Sequence, residues 1–472
     1  MARRKIIIDT DPGVDDILAI LLAVAAKPEE LEVLLISVTY GNVEVHQCLR
    51  NVVSLFHHVE KETAWRRQRG LPAGFESIQK SRPLVAVGPE HPLAEDILMA
   101  DYFHGRDGLG GISESHPHLS IDDTWKTLFD ETRDQGEHEK AELVQETTKG
   151  DALFKPSKDP AHQEILRLLR ENETDTITIV AVGPLTNLAL AAAEDPEAFL
   201  RVHEVVVMGG NVEEAGNVGL QTSLNPRPNI REPPFRLIKA PPGPIRNLLN
   251  ERNQITPVAE FNTYADTTAA ARVYALTSPN PQTTMPPSPP VKEGQHLPHY
   301  LKSYPPKLSR PLKVTMFPVD ITNKHLIKRD TYRQITEPLI ASKSPLAEWI
   351  AAFMTATFKT VESLSAGVEG DAVGLQLHDP LCVWYCIAGH EAGWKLIKDE
   401  DIRVETSGQW TRGMCVIDKR SRKKREDKEL GEIVGDKGNW LSSQAGNRVG
   451  RCVQTPSEET FGEYMLKRIF GI

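Results

Sequence analysis

The run Ile6-Ile7-Ile8-Asp9-Thr10-Asp11-Pro12-Gly13-Val14-Asp15-Asp16 sets an apolar strand directly before four carboxylates within eight residues. Three consecutive isoleucines suit a strand buried on both faces. Pro12 and Gly13 force a turn where that strand hands over to a helix. Asp15 and Asp16 then fall in the first helical turn, where the helix dipole tolerates anions. Carboxylates this dense repel one another unless protons or a cation intervene. An oxygen-only set suits a hard cation, Ca²⁺ or Mg²⁺. Helix capping accounts for one or two of the aspartates, not for four.

Outward from this turn, short apolar runs alternate with helical patterns. Residues 5–9, 31–40, 84–88, 176–182, 204–208, 313–319 and 402–406 read as strands, and 15–25, 45–59, 185–193, 264–276, 346–364 and 380–388 as helices. This alternation predicts an α/β fold, a three-layer αβα domain around a mainly parallel open sheet. Ligands of such sheets bind beyond the carboxyl ends of the strands. The whole chain, 1–472, reads as one domain. Residues 128–162 are polar and acidic without a period, and 278–311 form a proline-rich loop. Residues 218–254 hold Asn-Pro-Arg-Pro-Asn and two further proline clusters, an atypical insert for a compact domain. The basic run Lys419 to Arg425 reads as a solvated loop rather than a nuclear-localisation patch.

A net charge of -10 argues against nucleic-acid binding, which rests on neutralising phosphates. No stretch approaches the roughly 20 apolar residues of a membrane span. The three isoleucines after Met-Ala-Arg-Arg-Lys are too few for a signal peptide. Five cysteines, without a C-x-x-C pair, read as reduced thiols. A cytoplasmic protein is the expectation.

Further motifs follow the acidic turn in order: Val38-Thr39-Tyr40-Gly41-Asn42, His104-Gly105-Arg106-Asp107-Gly108-Leu109-Gly110, Val182-Gly183-Pro184-Leu185-Thr186-Asn187, Val205-Val206-Val207-Met208-Gly209-Gly210, Pro257-Val258-Ala259-Glu260-Phe261-Asn262 and His378-Asp379-Pro380. Together with Asp-Thr-Asp-Pro-Gly-Val-Asp-Asp, the series resembles the inosine–uridine nucleoside hydrolase family. The resemblance implies hydrolysis of the N-glycosidic bond of a ribonucleoside by a Ca²⁺-held water. It implies metal ligation by Asp11, Asp16, Asp379 and the carbonyl of Val182, with Asp11 also taking the proton of that water. Asp15 and Asn42 would support the metal site and bind ribose hydroxyls. Asn217, Glu260 and Asn262 would hold the sugar, with Met208 packed beneath it.

His378 would act as general acid towards the leaving base or simply contact it. His104 would lie near the base, in catalysis or in binding. Asp9 would orient the turn, and Asp320 and Thr322 would be structural. The purine-preferring branch carries tryptophan where this chain has His378, which points to uridine or inosine, uridine first. The family implies a homo-oligomer, a dimer or tetramer, with a small nucleoside as its partner.

One feature departs from the family. Asn217 and Asn262 stand 45 positions apart, and removing the 37 residues 218–254 would leave a spacing of 8, which is the family pattern. Valine codons begin with GT and one glutamine codon ends with AG, so the segment fits a retained intron translated in frame. Finding all its codons in the main mature transcript would defeat that idea. A form carrying the segment is expected to be impaired, which opens the alternative of a nucleoside-binding protein without turnover. A haloacid-dehalogenase-type phosphatase would use Asp9 as nucleophile, but the Pro-Gly that follows Asp11 and the later motifs do not fit it.

Overall fold

A computed structural model of the chain describes residues 3–129, 152–217, 256–288, 296–364, 367–420, 422–426 and 434–472. The isoleucine run forms β1 (Arg4–Thr10). After it come β2 (Leu31–Val38), β3 (Leu84–Val87), β4 (Lys155–Pro156), β5 (Ile177–Ala181), β6 (Glu204–Met208), β7 (Val314–Phe317), β8 (Leu326–Lys328), β9 (Gly374–Gln376), β10 (Lys395–Glu400), β11 (Arg403–Val404), β12 (Cys415–Val416) and β13 (Val449–Gln454). Nine of them form one sheet in the order β10-β13-β7-β6-β5-β1-β2-β3-β4. Every pairing in it is parallel except β10 with β13 at the edge.

β1 lies inside this sheet between β5 and β2, with Ile8 paired to Val180 and to Ile36. Its side chains alternate between faces. Ile6 and Ile8 join one hydrophobic cluster and Ile7 joins the other. The first cluster is covered by helices Val14–Val24, Val45–Gln68, Pro345–Leu364, His378–Ala388 and Phe461–Phe470. Ala161–Glu171, Thr186–Glu194 and Thr267–Ala275 cover the second. The layers are therefore helix, sheet and helix, as expected from the sequence. Helix Val14–Val24 is buried at every residue because it packs between the sheet and its neighbours, His378–Ala388 among them. That neighbour relation brings the starts of two helices together, with Asp15 and Asp16 in one first turn and Asp379 in the other.

The helix read over 45–59 runs on to Gln68, and two other predicted elements differ in kind. The single helix over 264–276 is two helices, Phe261–Ala265 and Thr267–Ala275, because the Asp266 carboxylate leaves the first and accepts from the Ala269 amide to cap the second. The strand over 402–406 shrinks to β11, which pairs with β12 outside the main sheet. The insert 218–254 lies outside the described residues, as do most of 128–162 and part of the proline-rich loop. No helix among the described residues is long and apolar enough to cross a membrane.

Candidate active site

The carboxyl ends of β1 and β2 build the floor of the site. Asp9 is fully buried, and its Oδ1 accepts from Ser37 Oγ at 2.5 Å and Asn187 Nδ2 at 2.8 Å. Burial pushes its pKa up to about 7 against these two hydrogen bonds. Asp9 thus ties β1 to β2 and to the first turn of helix Thr186–Glu194 after β5. Asp16 reaches back to cap its own helix. Its Oδ2 accepts from Gly13 N at 3.0 Å and Asn42 Nδ2 at 2.9 Å, and its Oδ1 from Thr10 Oγ1 at 2.5 Å.

Asn42 also grips Asp11. Its amide nitrogen donates to Asp11 Oδ2 at 2.7 Å and its side chain to the Asp11 carbonyl at 3.0 Å. Asp11 Oδ1 is buried without a hydrogen-bond partner among the described residues. The Val182-Gly183 turn presses on that atom, since a Cβ at Gly183 would stand 2.6 Å from it.

Asp379 meets this floor from the far end of the chain. Carboxylate oxygens of Asp15, Asp16 and Asp379 lie within 4.8 Å of one another, all three residues buried. Among the described residues no lysine or arginine forms an ion pair with Asp11, Asp15, Asp16 or Asp379. Burial raises all four pKa values. Asp15 is pushed to about 7, with the charge of Asp16 adding to the burial. Asp11 and Asp379 stand well above the carboxylate range, from burial first and from neighbouring aspartates next. Asp16 is raised by burial against its hydrogen bonds. Crowded, acceptor-only oxygens with an unpartnered Asp11 Oδ1 fit a hard divalent cation. The tight carboxylate set contains Asp15 and not Asp11, whereas the motifs pointed to Asp11 as a ligand. Asp11 still feels the charges of Asp15 and Asp16 and is felt by Asp379.

Beside the carboxylates lie the residues expected to touch sugar. Asn262 Nδ2 donates to the Val182 carbonyl at 2.8 Å and to the Met208 carbonyl at 3.3 Å. Glu260 is 1% exposed and spends its oxygens on main-chain amides. Its Oε1 accepts from Asn262 N at 2.7 Å, and its Oε2 from Gly210 N at 2.7 Å and Thr263 N at 2.9 Å. It therefore caps Phe261–Ala265 and fastens that helix to the end of β6.

Asn217 and Asn262, distant in sequence, share one corner. Asn217 Oδ1 accepts from Phe261 N at 2.8 Å, and Gly216 N donates to the Pro257 carbonyl at 3.1 Å. A Cβ at Gly216 would stand 2.0 Å from the Ala259 carbonyl oxygen, so only glycine permits this contact.

Two histidines face the same region. His378 Nδ1 lies 2.7 Å from Thr322 Oγ1, so Thr322 orients a site residue as well as packing. His104 Nδ1 accepts from Val14 N at 3.2 Å, which leaves the proton of the neutral ring on Nε2. Burial pushes His378 down to about 4, and burial with the charge of His378 pushes His104 to about 3. Asp320 accepts from Val212 N at 2.9 Å and Glu213 N at 2.6 Å, and so holds the loop after β6. Sequence reasoning passed over Thr10, Asn51, Asp107 and Asp266. Each is a polar residue with main-chain or side-chain partners in this framework. Only Asp266, before Thr267-Thr268, carried a capping signal in sequence.

A model of the inosine-uridine preferring nucleoside hydrolases matches residues 6–434. The chain belongs to that family. The hydrolase is 26% identical over 416 residues to a non-specific ribonucleoside hydrolase of Klebsiella pneumoniae, covering 88% of each chain. It is 31% identical over 223 residues to uridine nucleosidase 1 of Arabidopsis thaliana, which is 47% of this chain and 49% of the relative. Its fold matches a purine-preferring ribonucleoside hydrolase from Gardnerella vaginalis with TM-score 0.58 at 19% identity, over 99% of this chain and 98% of the other. The hydrolase is thus an N-glycosidase of ribonucleosides with an acidic metal-type cluster at its strand ends. Family membership displaces the phosphatase alternative.

Proposed function

We propose that this chain releases free base and ribose from uridine, and less readily from inosine, with Ca²⁺ as its cation. Asp11, Asp16, Asp379 and the Val182 carbonyl would hold the ion, with Asp15 close enough to share it. Such an ion supplies, when bound, the Lewis acidity that brings a water's proton within reach of a carboxylate at neutral pH. Asp11 Oδ1, the buried oxygen without a partner, accepts that proton. Asp15, Asn42, Asn217, Glu260 and Asn262 hold the ribose hydroxyls, and Met208 packs beneath the ring. Orienting the sugar in this way removes entropy from the barrier. His378, with Nδ1 against Thr322 Oγ1, would meet the departing base as general acid or as a simple contact. His104 offers its Nε2 hydrogen to the same base.

The meeting of Asp15 and Asp16 with Asp379 carries this reading. Uridine stands first because His378 occupies the late position and because the Arabidopsis relative is named a uridine nucleosidase. The alternative of binding without turnover rests on the insert. The contacts of Gly216 with Pro257 and of Asn217 with Phe261 support an intact sugar corner instead. Five buried, unpaired cysteines suit a reducing, cytoplasmic setting. A panel of uridine, inosine and cytidine, assayed for reducing sugar, tests the proposal. The largest kcat/KM is expected for uridine. A tenfold preference for inosine would overturn the base assignment, and binding with no ribose released would favour the alternative.

A further inference from the structure

Asn51 lies within helix Val45–Gln68, is 3% exposed, and belongs to none of the motifs above. Its side-chain amide donates in two directions, to the Pro12 carbonyl at 2.9 Å and to the Asp107 carbonyl at 2.8 Å. Pro12 belongs to the turn that carries Asp11, Asp15 and Asp16. Asp107 belongs to the glycine-rich loop that carries His104. That loop is folded around the Asp107 carboxylate, which accepts from Leu109 N at 3.0 Å, Gly111 N at 2.8 Å and Ser113 N at 2.8 Å. It therefore behaves as one piece. The loop meets the turn closely at two further points. Val14 N donates to His104 Nδ1 at 3.2 Å, and a Cβ at Gly13 would stand 2.5 Å from the same nitrogen. At Gly108, with φ +77°, a Cβ would stand 2.7 Å from Asn51 Nδ2.

We propose that Asn51 is a positioning residue that sets the distance between the carboxylate turn and the base-side loop by holding one carbonyl of each. The inference rests on the reading above that His104 faces the base. Without the amide, two buried carbonyls lose their donor, and each unmade bond of this kind is costly. The loop then shifts relative to the turn, while the carboxylates keep their own partners from Thr10, Gly13 and Asn42.

The test uses the full chain with Asn51→Leu, which keeps the size and removes both donors. Its kcat/KM for uridine is expected to fall about 10²-fold, the effect of displacing a reacting group by around 1 Å. Its uridine-to-inosine ratio is expected to change at least threefold. Inhibition by free ribose and the affinity for Ca²⁺ alone are expected to stay within threefold of the parent. Gly108→Ala, which pushes on the same amide from the loop side, is expected to reproduce the altered ratio should Asn51→Leu fail to fold. Equal loss for every base, ribose and Ca²⁺, or no loss in either variant, would overturn the role of Asn51. Failure of the unmodified chain to release ribose from any nucleoside would instead overturn the hydrolase reading beneath it.

Discussion

Glu62 and Asp16 are both almost wholly buried carboxylates, at 1% and 0% exposure, yet only Glu62 has a cation of its own. Arg66 Nε lies 2.8 Å from Glu62 Oε1, while Ser344 Oγ at 2.6 Å and Leu346 N at 3.3 Å serve Oε2. Arg66 in turn donates to the Phe470 carbonyl at 3.0 Å and so fastens the last helix to Val45–Gln68. The charges there cancel inside the fold, and the result is structure. At the strand ends Asp15, Asp16 and Asp379 converge with no such partner among the described residues, and burial drives their pKa values upward. The chain has the means to neutralise a buried acid and does not use them there. Charge left unbalanced within a fold is a place for a cation from outside, and stability is given up to keep it.

Substitutions on the two sides should part company. Asp379→Asn removes one of the converging carboxylates. Nucleoside turnover is expected to fall by about 10³-fold or more, since Lewis-acid stabilisation is worth several kcal/mol. The cation-free unfolding temperature is expected to hold or rise, because one source of repulsion is gone. A steady-state assay beside a melting curve reads both, and turnover within tenfold of the parent would break the contrast. On the other side, Arg66→Met leaves Glu62 buried and unpaired. Chemical denaturation should show a loss of about 3–5 kcal/mol, with kcat per folded molecule unchanged.

A smaller effect sharpens the same contrast through pH. Burial raises Asp9 and Asp15 to about 7 and Asp266 to about 8. A carboxylate raised on folding contributes stability that is complete below its unfolded value near 4 and is lost as pH rises through its folded value. The chelated protein should therefore melt at progressively lower temperature from pH 5 to pH 8. Saturating Ca²⁺ should flatten the part due to Asp15 by favouring its ionised form. A flat profile in chelator would remove this support.

Much of this was legible in the sequence. Strand–helix alternation and the isoleucine run located the sheet, and the ordered motifs located the carboxylates at its ends. What stayed hidden depended on contacts between distant segments. The capping signal at Asp266 does not announce that the same carboxylate also accepts from the distant Thr186 Oγ1 at 2.7 Å. The motif around Glu260 does not announce that three main-chain amides also donate to its carboxylate. The edge formed by β10 and β13 was missed because β10 is half exposed and lacks a buried apolar run. The break between Asn217 and Asn262 looked severe along the chain, yet Asn217 reaches the Phe261 amide in space.

That closure leads to the smallest expected change. Excising residues 218–254 should leave kcat/KM for uridine at or above the value of the full chain, because the flanking residues already meet. A tenfold fall would mean that the excised segment contributes to the site.

The most direct test of a cation held between the two ends of the chain is ribose release from uridine by dialysed protein during stepwise addition of Ca²⁺. Turnover should be absent in chelator, should rise with the ion to saturation, and should fail to rise in Asp379→Asn at the same concentrations. Release of ribose that ignores both chelator and Asp379→Asn would contradict the account.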